Sequence, residues 1–363
     1  MKNIIALGAE NKTTFSILNN TKDELFVSEK IDNLTCLSNF NFFESQIKNV
    51  LKNKNIIPDI IACDLHPDYR STRLAEEFSS NSKNTKLVKV QHHFAHIVSC
   101  MFDNDLDEEV IGVSFDGVGF GTDGAAWGGE FLVCSRKDFE RVYHLEYVPQ
   151  PGGDLATREI WRMALSYLYK TYQNEFNSIK TPLLERINKN KVSVVAQMIE
   201  KNINSPLTSS MGRLFDAVSS LLGICDDAKF EADGAILLEK NVASGITEYY
   251  GFDVRGKKIV LSRVIKGIVN DLNEKVDTKV ISAKFHNTLG EIIFNIANKI
   301  SNDTGLSKVL VSGGCFQNKY LMKYIEKRFK NSDLKLFKHK KYSPTDLGIS
   351  IGQAVAAEAM DRQ

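Results

Sequence analysis

The 363 residues carry 46 Lys and Arg against 45 Asp and Glu, a formal net charge of +1, and 43% of them are hydrophobic. That is enough apolar content for two domains or lobes, with no overall basic field to hold a nucleic-acid backbone. No run of about 18 apolar residues is present to span a membrane. The six cysteines (Cys36, Cys63, Cys100, Cys134, Cys225, Cys315) include no C-x-x-C pair, which removes zinc-ribbon and dithiol-redox readings and fits a reducing cytosol.

The opening "MKNIIALGAE" breaks into glycine and glutamate after a very short apolar run, unlike a signal peptide. Ile4–Leu7 and Thr13–Leu18 read as strands around a glycine turn, with a third near Glu24–Ser28. Phe42, Phe43, Ile47, Val50 and Leu51 have helical spacing. "DIIAC" (59–63) is a short buried strand, "STRLAEEF" (71–78) starts a helix with a Ser/Thr cap, and "KLVKV" (86–90) is a strand running into "QHHFAHIVSC". Residues 1–135 therefore alternate strand and helix, as an α/β lobe does. Residues 150–205 open with a Pro-Gly-Gly turn, then read as helix, and are expected to be a helical insertion. Further helices are expected over 208–224 and 280–300. "KVLVSGGCFQNKYLMKYI" is strand, glycine turn and helix; "LKLF" is a strand; "TDLGISIGQAVAAEAM" is a last helix. The second half thus repeats the alternation without a sequence repeat, and short lysine runs such as "KNKN" (52–55) and "KHKK" (338–341) read as solvated surface.

Chemistry could reside in a few places. His92 and His96 are one helical turn apart, a spacing that lets two imidazoles bind one metal, although a buried or surface pair without a ligand has the same spacing. His93 points elsewhere. Asp116 ends the strand "EVIGVSF", where α/β proteins display ligand-binding residues. Asp346 opens the final helix, where an N-cap is the plain alternative. Gly117, Gly119, Gly121 and Gly124 in "DGVGFGTDG" could cradle a phosphate or form a tight hairpin. Ser312, Gly313 and Gly314 lie between a strand and a helix N-terminus, an anion or nucleotide position. There is no G-x-G-x-x-G, P-loop or G-x-S-x-G motif.

The stretches "VQHHFAHIVSCM", "FDGVGFGTDGAAWGGEF", "PGGDLATREIWRMAL", "SSMGRLFDAVSSLLGI", "FHNTL", "VSGGCFQNKYL" and "TDLGISIGQAVAA" resemble, in order, the carboxy-terminal carbamoyltransferase module of the hydrogenase maturation protein HypF. "LGAENKTTFSI" and "DLHPDYRSTRLAEEF" resemble its first lobe, so the likeness covers almost the whole chain. The wider family includes the tRNA threonylcarbamoyltransferase TsaD and antibiotic O-carbamoyltransferases, and shares its fold with actin, sugar kinases and heat-shock ATPases.

The resemblance implies an α/β fold of two actin-like lobes with a nucleotide cleft and a helical insertion. The expected divisions are 1–149 for a first lobe with the metal ligands, 150–205 for the insertion, 206–345 for a nucleotide-binding second lobe, and 346–363 for a helix returning to the first. It implies that His92, His96, Asp116 and Asp346 hold one iron or zinc ion. It also implies that Asp216, Glu231 and Asn318 hold the nucleoside of ATP, AMP or carbamoyl-adenylate, with Gly117, Gly119, Gly313 and Gly314 near the phosphate. Leu347 departs from the family's D-G-G-I, which puts the backbone beside Asp346 in question.

The implied activity is carbamoyl transfer from carbamoyl-adenylate to the C-terminal cysteine of HypE in the cytoplasm. The acylphosphatase-like, zinc-finger and adenylate-forming domains of HypF are not in this sequence, so only the last step is expected, with the adenylate supplied by a separate protein or domain. Arg158 and Arg162, spaced one turn apart, are candidates for a partner surface or for holding the acceptor tail's carboxylate, with a solvated helix face as the plain alternative. Threonylcarbamoylation of tRNA and a non-catalytic ATP-binding scaffold are the alternatives.

Overall fold

The computed structural model describes residues 2–19, 24–82 and 84–362; Met1 and Gln363, the outer bounds of the expected divisions, lie outside them. The chain begins with β1 (Asn3–Ala6), β2 (Ser16–Asn19), β3 (Glu24–Val27), α1 (Leu37–Lys54), β4 (Ile60–Asp64), α2 (Arg70–Ser80), β5 (Lys86–Val90) and α3 (His92–Asp103). The five strands form one sheet in the order β3-β2-β1-β4-β5. The pairs among β1, β2 and β3 are antiparallel, while β1–β4 and β4–β5 are parallel. Every residue of β4 is buried, as expected for a parallel strand covered on both faces.

Next come β6 (Val110–Phe120), β7 (Ala126–Cys134), β8 (Phe139–Leu145) and β9 (Val148–Pro149), followed by α4 (Trp161–Tyr172), α5 (Pro182–Arg186), α6 (Lys189–Glu200), β10 (Leu207–Thr208), α7 (Met211–Leu221) and α8 (Asp233–Lys240). The chain closes with β11 (Asp253–Arg255), β12 (Lys258–Val260), α9 (Ser262–Asn273), α10 (Thr278–Thr304), β13 (Lys308–Ser312), α11 (Lys319–Phe329), β14 (Lys335–Phe337) and α12 (Ile349–Asp361). The second sheet contains the run β8-β7-β6-β13-β14, extended past β8 by β12 and β11. Its pairings repeat the first sheet: two antiparallel, then two parallel. One topology is therefore built twice from sequences that share no repeat.

Two helices cross between the halves. The last helix of the first unit, α3, packs on β6, β7 and β13, while α12 packs on β1, β2, β4 and β5 and on α3. Two glycines permit this close approach. A Cβ at Gly112 would lie 2.7 Å from Ile97 Cγ1, and one at Gly352 would lie 1.9 Å from the Ala95 carbonyl oxygen. Ile97, Val98, Ile349 and Ala354 join strands of both sheets in one buried cluster. A hydrogen bond from the Gly8 amide to Gln353 Oε1 (2.8 Å) ties the first turn to α12.

Three expectations differ from what is seen. Residues 110–149, expected to complete the first lobe, are strands of the second sheet: β6 pairs with β13 from Val309↔Ile111 to Ser312↔Ser114. Strand patterning shows that a strand exists but not which distant strand it pairs with. The 150–205 segment is helical as expected, yet Trp161, Met163, Leu165 and Leu168 of α4 belong to the second lobe's core with Leu214 and Val218 of α7, so it is built into that lobe. The N-cap of α2 is Tyr69, with no side-chain cap bond; Ser71 and Thr72 are buried inside the helix.

Candidate metal centre on the cleft floor

The end of β4, the middle of β6 and the starts of α3 and α12 meet at one place; Asp116, expected to end its strand, lies inside β6, which runs on to Phe120. α3 starts at His92 because Gln91 caps it, its Oε1 accepting from the Phe94 amide at 2.9 Å. His92 and His96, on one face, point their Nε2 atoms at Asp116 and Asp346. His92 Nε2 is 3.4 Å from Asp116 Oδ2 and 3.8 Å from Asp346 Oδ1; His96 Nε2 is 3.6 and 3.9 Å from the same atoms. All four ligand atoms lie within 4.8 Å of one another. Such spacings are long for hydrogen bonds. They suit ligands about 2.1 Å from a shared tetrahedral ion, which stand about 3.4 Å apart.

Both Nε2 atoms are buried without a hydrogen-bond partner, which is costly unless something else satisfies them. His92 Nδ1–H donates to Asp64 Oδ2 at 2.8 Å, fixing the tautomer that leaves Nε2 as a lone-pair donor. The Gly314 amide donates to Asp116 Oδ1 at 2.8 Å, leaving Oδ2 for the histidines. Burial opposes a charge on His92, but Asp116 and Asp64 outweigh it and hold its pKa well above the usual value. Burial lowers His96. Burial would raise Asp116, yet the facing imidazoles hold it well below the carboxylate range. Asp346 keeps 29% side-chain exposure but is pushed up to about 7, by burial in the cleft and then by the Asp116 charge. Charges this strongly coupled form a site suited to a cation.

Asp346 is not the N-cap of α12. It starts a short 3-10 turn, Asp346–Gly348, ahead of the helix. Thr14 Oγ1 donates to the Leu347 carbonyl at 3.0 Å, and Leu347 is not among the residues with positive φ, so a side chain there is unstrained.

The expected nucleotide residues divide. Gly117 and Gly119 lie inside β6, at a register irregularity between Phe115 and Gly119; only residues 121–125 turn. A Cβ on Gly117 would meet nothing within 4 Å, so its edge is open. A Cβ on Gly119 would lie 2.5 Å from His93 Cε1, so this glycine makes room for the histidines. Gly313 has φ +108°, and a Cβ there would be 2.3 Å from the Phe115 carbonyl oxygen. Gly314 spends its amide on Asp116.

Asp216 is buried against Arg213, whose Nε and Nη2 donate to Oδ2 at 2.7 and 2.6 Å. Burial pushes the Cys315 thiol well up, and the charges of Asp116, Arg213 and Asp216 also bear on it. Asn318 caps α11 through Leu321 (2.8 Å) and faces His286 Nε2 at 2.9 Å. Glu231 is exposed and pairs with Lys12 from the β1–β2 turn at 3.0 Å. Arg158 precedes α4, and Arg162 on that helix pairs with Glu159 at 2.6 Å, so the two do not share a helix face. An open groove of about 540 Å³ on the second lobe, lined by Lys170, Arg255 and Lys258 among others, shares no residue with the cluster.

Sequence reasoning missed Asp64 and Lys12. An aspartate ending a buried strand, Asp64 in "IIACD", was the available signal for the first. Asp64→Ala is expected to weaken metal binding about 10- to 100-fold, the usual effect of losing a carboxylate behind a ligating histidine; titration of the metal-free protein checks it, and an unchanged affinity removes Asp64 from that role.

A sheet topology built twice, with a nitrogen–oxygen cluster where the two copies meet, defines a two-lobed protein of the actin-like class. Family models narrow this further. Residues 1–103 match the HypF Kae1-like domain, and residues 112–353 match the second subdomain of the carbamoyltransferase Kae1-like domain. The chain belongs to the HypF family. It is 37% identical over 362 residues to the probable carbamoyltransferase HypF of Methanocaldococcus jannaschii, covering 98% of this chain and 46% of that one. It is 32% identical over 373 residues to the carbamoyltransferase HypF of Synechocystis, covering 98% and 47%. A full-length HypF solved in its phosphate- and nucleotide-bound form superposes with a TM-score of 0.91 at 36% identity, covering 100% of this chain and 56% of that one. The chain thus spans about half the length of these relatives. Both family matches and sheets divide the chain between residues 103 and 112.

Proposed function

We propose that this chain moves a carbamoyl group from carbamoyl-adenylate to the C-terminal cysteine thiol of a HypE-type acceptor, in synthesis of the cyanide ligands of NiFe hydrogenase. The cluster of His92, His96, Asp116 and Asp346, with two buried and unpartnered imidazole nitrogens, carries this reading. The full-length HypF that superposes on the chain was solved in a phosphate- and nucleotide-bound form, which supports a nucleotide as a ligand in this family.

Two nitrogen and two carboxylate donors suit iron or zinc. Such an ion, when bound, supplies Lewis acidity toward a carbonyl or phosphate oxygen. Asp64 holds His92 in the tautomer that presents Nε2, and the Gly314 amide orients Asp116. The open edge at Gly117 gives a phosphate room to approach. In this reading Glu231 accepts from a ribose hydroxyl once it parts from Lys12, and Asp216 and Asn318, bonded to Arg213 and His286, border the nucleoside. The reading assigns adenylate synthesis to a separate protein or domain and places the reaction in the cytoplasm. No helix among the described residues is long and apolar enough to cross a membrane.

Mass spectrometry of a HypE-type tail peptide tests this, with ATP, carbamoyl phosphate, the adenylate-forming component and this chain each left out in turn. Carbamoylation is expected only when all are present. Modification by this chain alone from carbamoyl phosphate and ATP would overturn the division of labour. No modification in the full mixture would leave a nucleotide-binding scaffold, and modification of tRNA instead would move the chain to the threonylcarbamoyl branch.

A further inference from the structure

The stretch Asp64-Leu65-His66-Pro67-Asp68-Tyr69 joins β4 to α2 beside the cluster, and only Asp64 has a role so far. Position 69 is a helix N-cap, where a serine or aspartate would satisfy the free amides of the first turn. Here Tyr69 makes no cap bond. Glu10, from the β1–β2 turn, performs that task, its Oε2 accepting from the Arg70 amide at 2.6 Å. The cap is thus supplied from elsewhere, and position 69 is free to carry a phenol.

That phenol is held firmly. Its ring lies face to face with His66, with centroids 4.2 Å apart and planes 2° from parallel, and His66 leans on Phe120 at 5.1 Å. His66 is fixed in turn: its amide donates to Asp64 Oδ1 at 2.9 Å, and its Nδ1 accepts from the Asp68 amide at 3.1 Å. Tyr69 also packs against the cluster of apolar residues between the sheets. The charges of Asp64, Asp346 and Asp116 all bear on its hydroxyl, which has no hydrogen-bond partner among the described residues. A rigid aromatic beside a ligand cluster, with an O–H that no protein group holds, is free to donate to a bound oxygen.

We propose that Tyr69 is a catalytic residue whose O–H donates to an oxygen of the carbamoyl or phosphoryl group bound over the His92, His96, Asp116 and Asp346 cluster, with His66 as its positioning residue. The proposal rests on the transfer reading above and assigns no bond-making to either side chain. The phenol meets the negative charge that develops on that oxygen as the thiol attacks the carbonyl and AMP departs. A donor aimed at developing charge lowers the barrier without tightening ground-state binding.

Tyr69→Phe removes the hydroxyl and keeps the stack. With metal-loaded protein, carbamoyl-adenylate generated in trans and the tail peptide, kcat is expected to fall about 100-fold, the usual effect of losing one such donor. KM for the adenylate and metal content should change little. Adding AMP to the wild type should perturb tyrosine ultraviolet absorbance, and the variant should lose that signal. His66→Phe, which preserves stacking, should retain most of the activity that His66→Ala loses. Wild-type kcat in Tyr69→Phe, or an AMP-induced signal that survives in it, overturns the proposal. A His66→Phe variant as slow as His66→Ala overturns the positioning role. A wild type that shows the AMP signal, absent from Tyr69→Phe, but no transfer would keep Tyr69 at the ligand and reject the transfer reading.

Discussion

Gly352→Ala is expected to destabilise the fold by about 1–3 kcal/mol or more and to reduce metal content. The new methyl would lie 1.9 Å from the Ala95 carbonyl oxygen and 2.6 Å from its carbon. These are backbone atoms of α3, so no rotamer change relieves the clash and the helices must part. Alanine's better helix propensity returns only about 1 kcal/mol. The displaced residues are the ones that matter for the site: Ala95 adjoins His96, and α12 starts three residues after Asp346. Denaturant unfolding checks the first effect and metal analysis at fixed free metal checks the second. Wild-type values in both would show that the two helices tolerate a wider spacing and do not set the geometry of the cluster.

His96→Ala should abolish tight metal binding, whereas His93→Ala should leave it largely intact. His93 is fully buried, its Nδ1 faces Gln91 at 3.1 Å, and its ring packs near Trp127; it contributes no atom to the cluster. Wild-type protein purified without chelator is expected to hold about one equivalent of iron or zinc. The stability readout separates a ligand from a merely packed histidine. A ligand present at 100 times its Kd adds about 2.7 kcal/mol to folding, so metal should raise the unfolding midpoint of the wild type and of His93→Ala, but not of His96→Ala. Without metal, His96→Ala removes a buried nitrogen that has no partner, which offsets part of the cost of its cavity. Equal metal content in the two variants would reject the ligand set.

Most elements could be read from local pattern, because apolar period and glycine position act over a few residues. The fully buried β4, the helical face of α7 and the 27-residue α10 were all visible this way. So were the metal candidates: two histidines one turn apart and an aspartate on the strand after them, although β6 runs on past Asp116 to Phe120. What local pattern could not carry was pairing over distance. β6 reads as the continuation of one lobe, but its partner β13 lies about 200 residues on. Asp346 reads as a helix cap until α12 is seen to bring it back to α3. Asp216 and Asn318 are expected by resemblance to hold a nucleoside, and only the fold shows them bonded to Arg213 and His286. A Ser/Thr cap is read at the start of α2 because Glu10, which accepts from the Arg70 amide in its place, is 60 residues from Arg70.

The exchange of α3 and α12 also bears on how the protein is made. β1, β4 and Gly8 leave the ribosome before the helix that covers them. The Gly8–Gln353 bond spans 345 residues. At a translation rate of about 5–20 residues per second, that face of the first sheet stays uncovered for about 17–70 seconds. The nascent first lobe is thus a natural client for a chaperone that shields apolar strands. Asp346 arrives at the same late moment, so His92, His96 and Asp116 remain a partial site until then. Metal loading with the full ligand set is therefore a step that follows synthesis of Asp346.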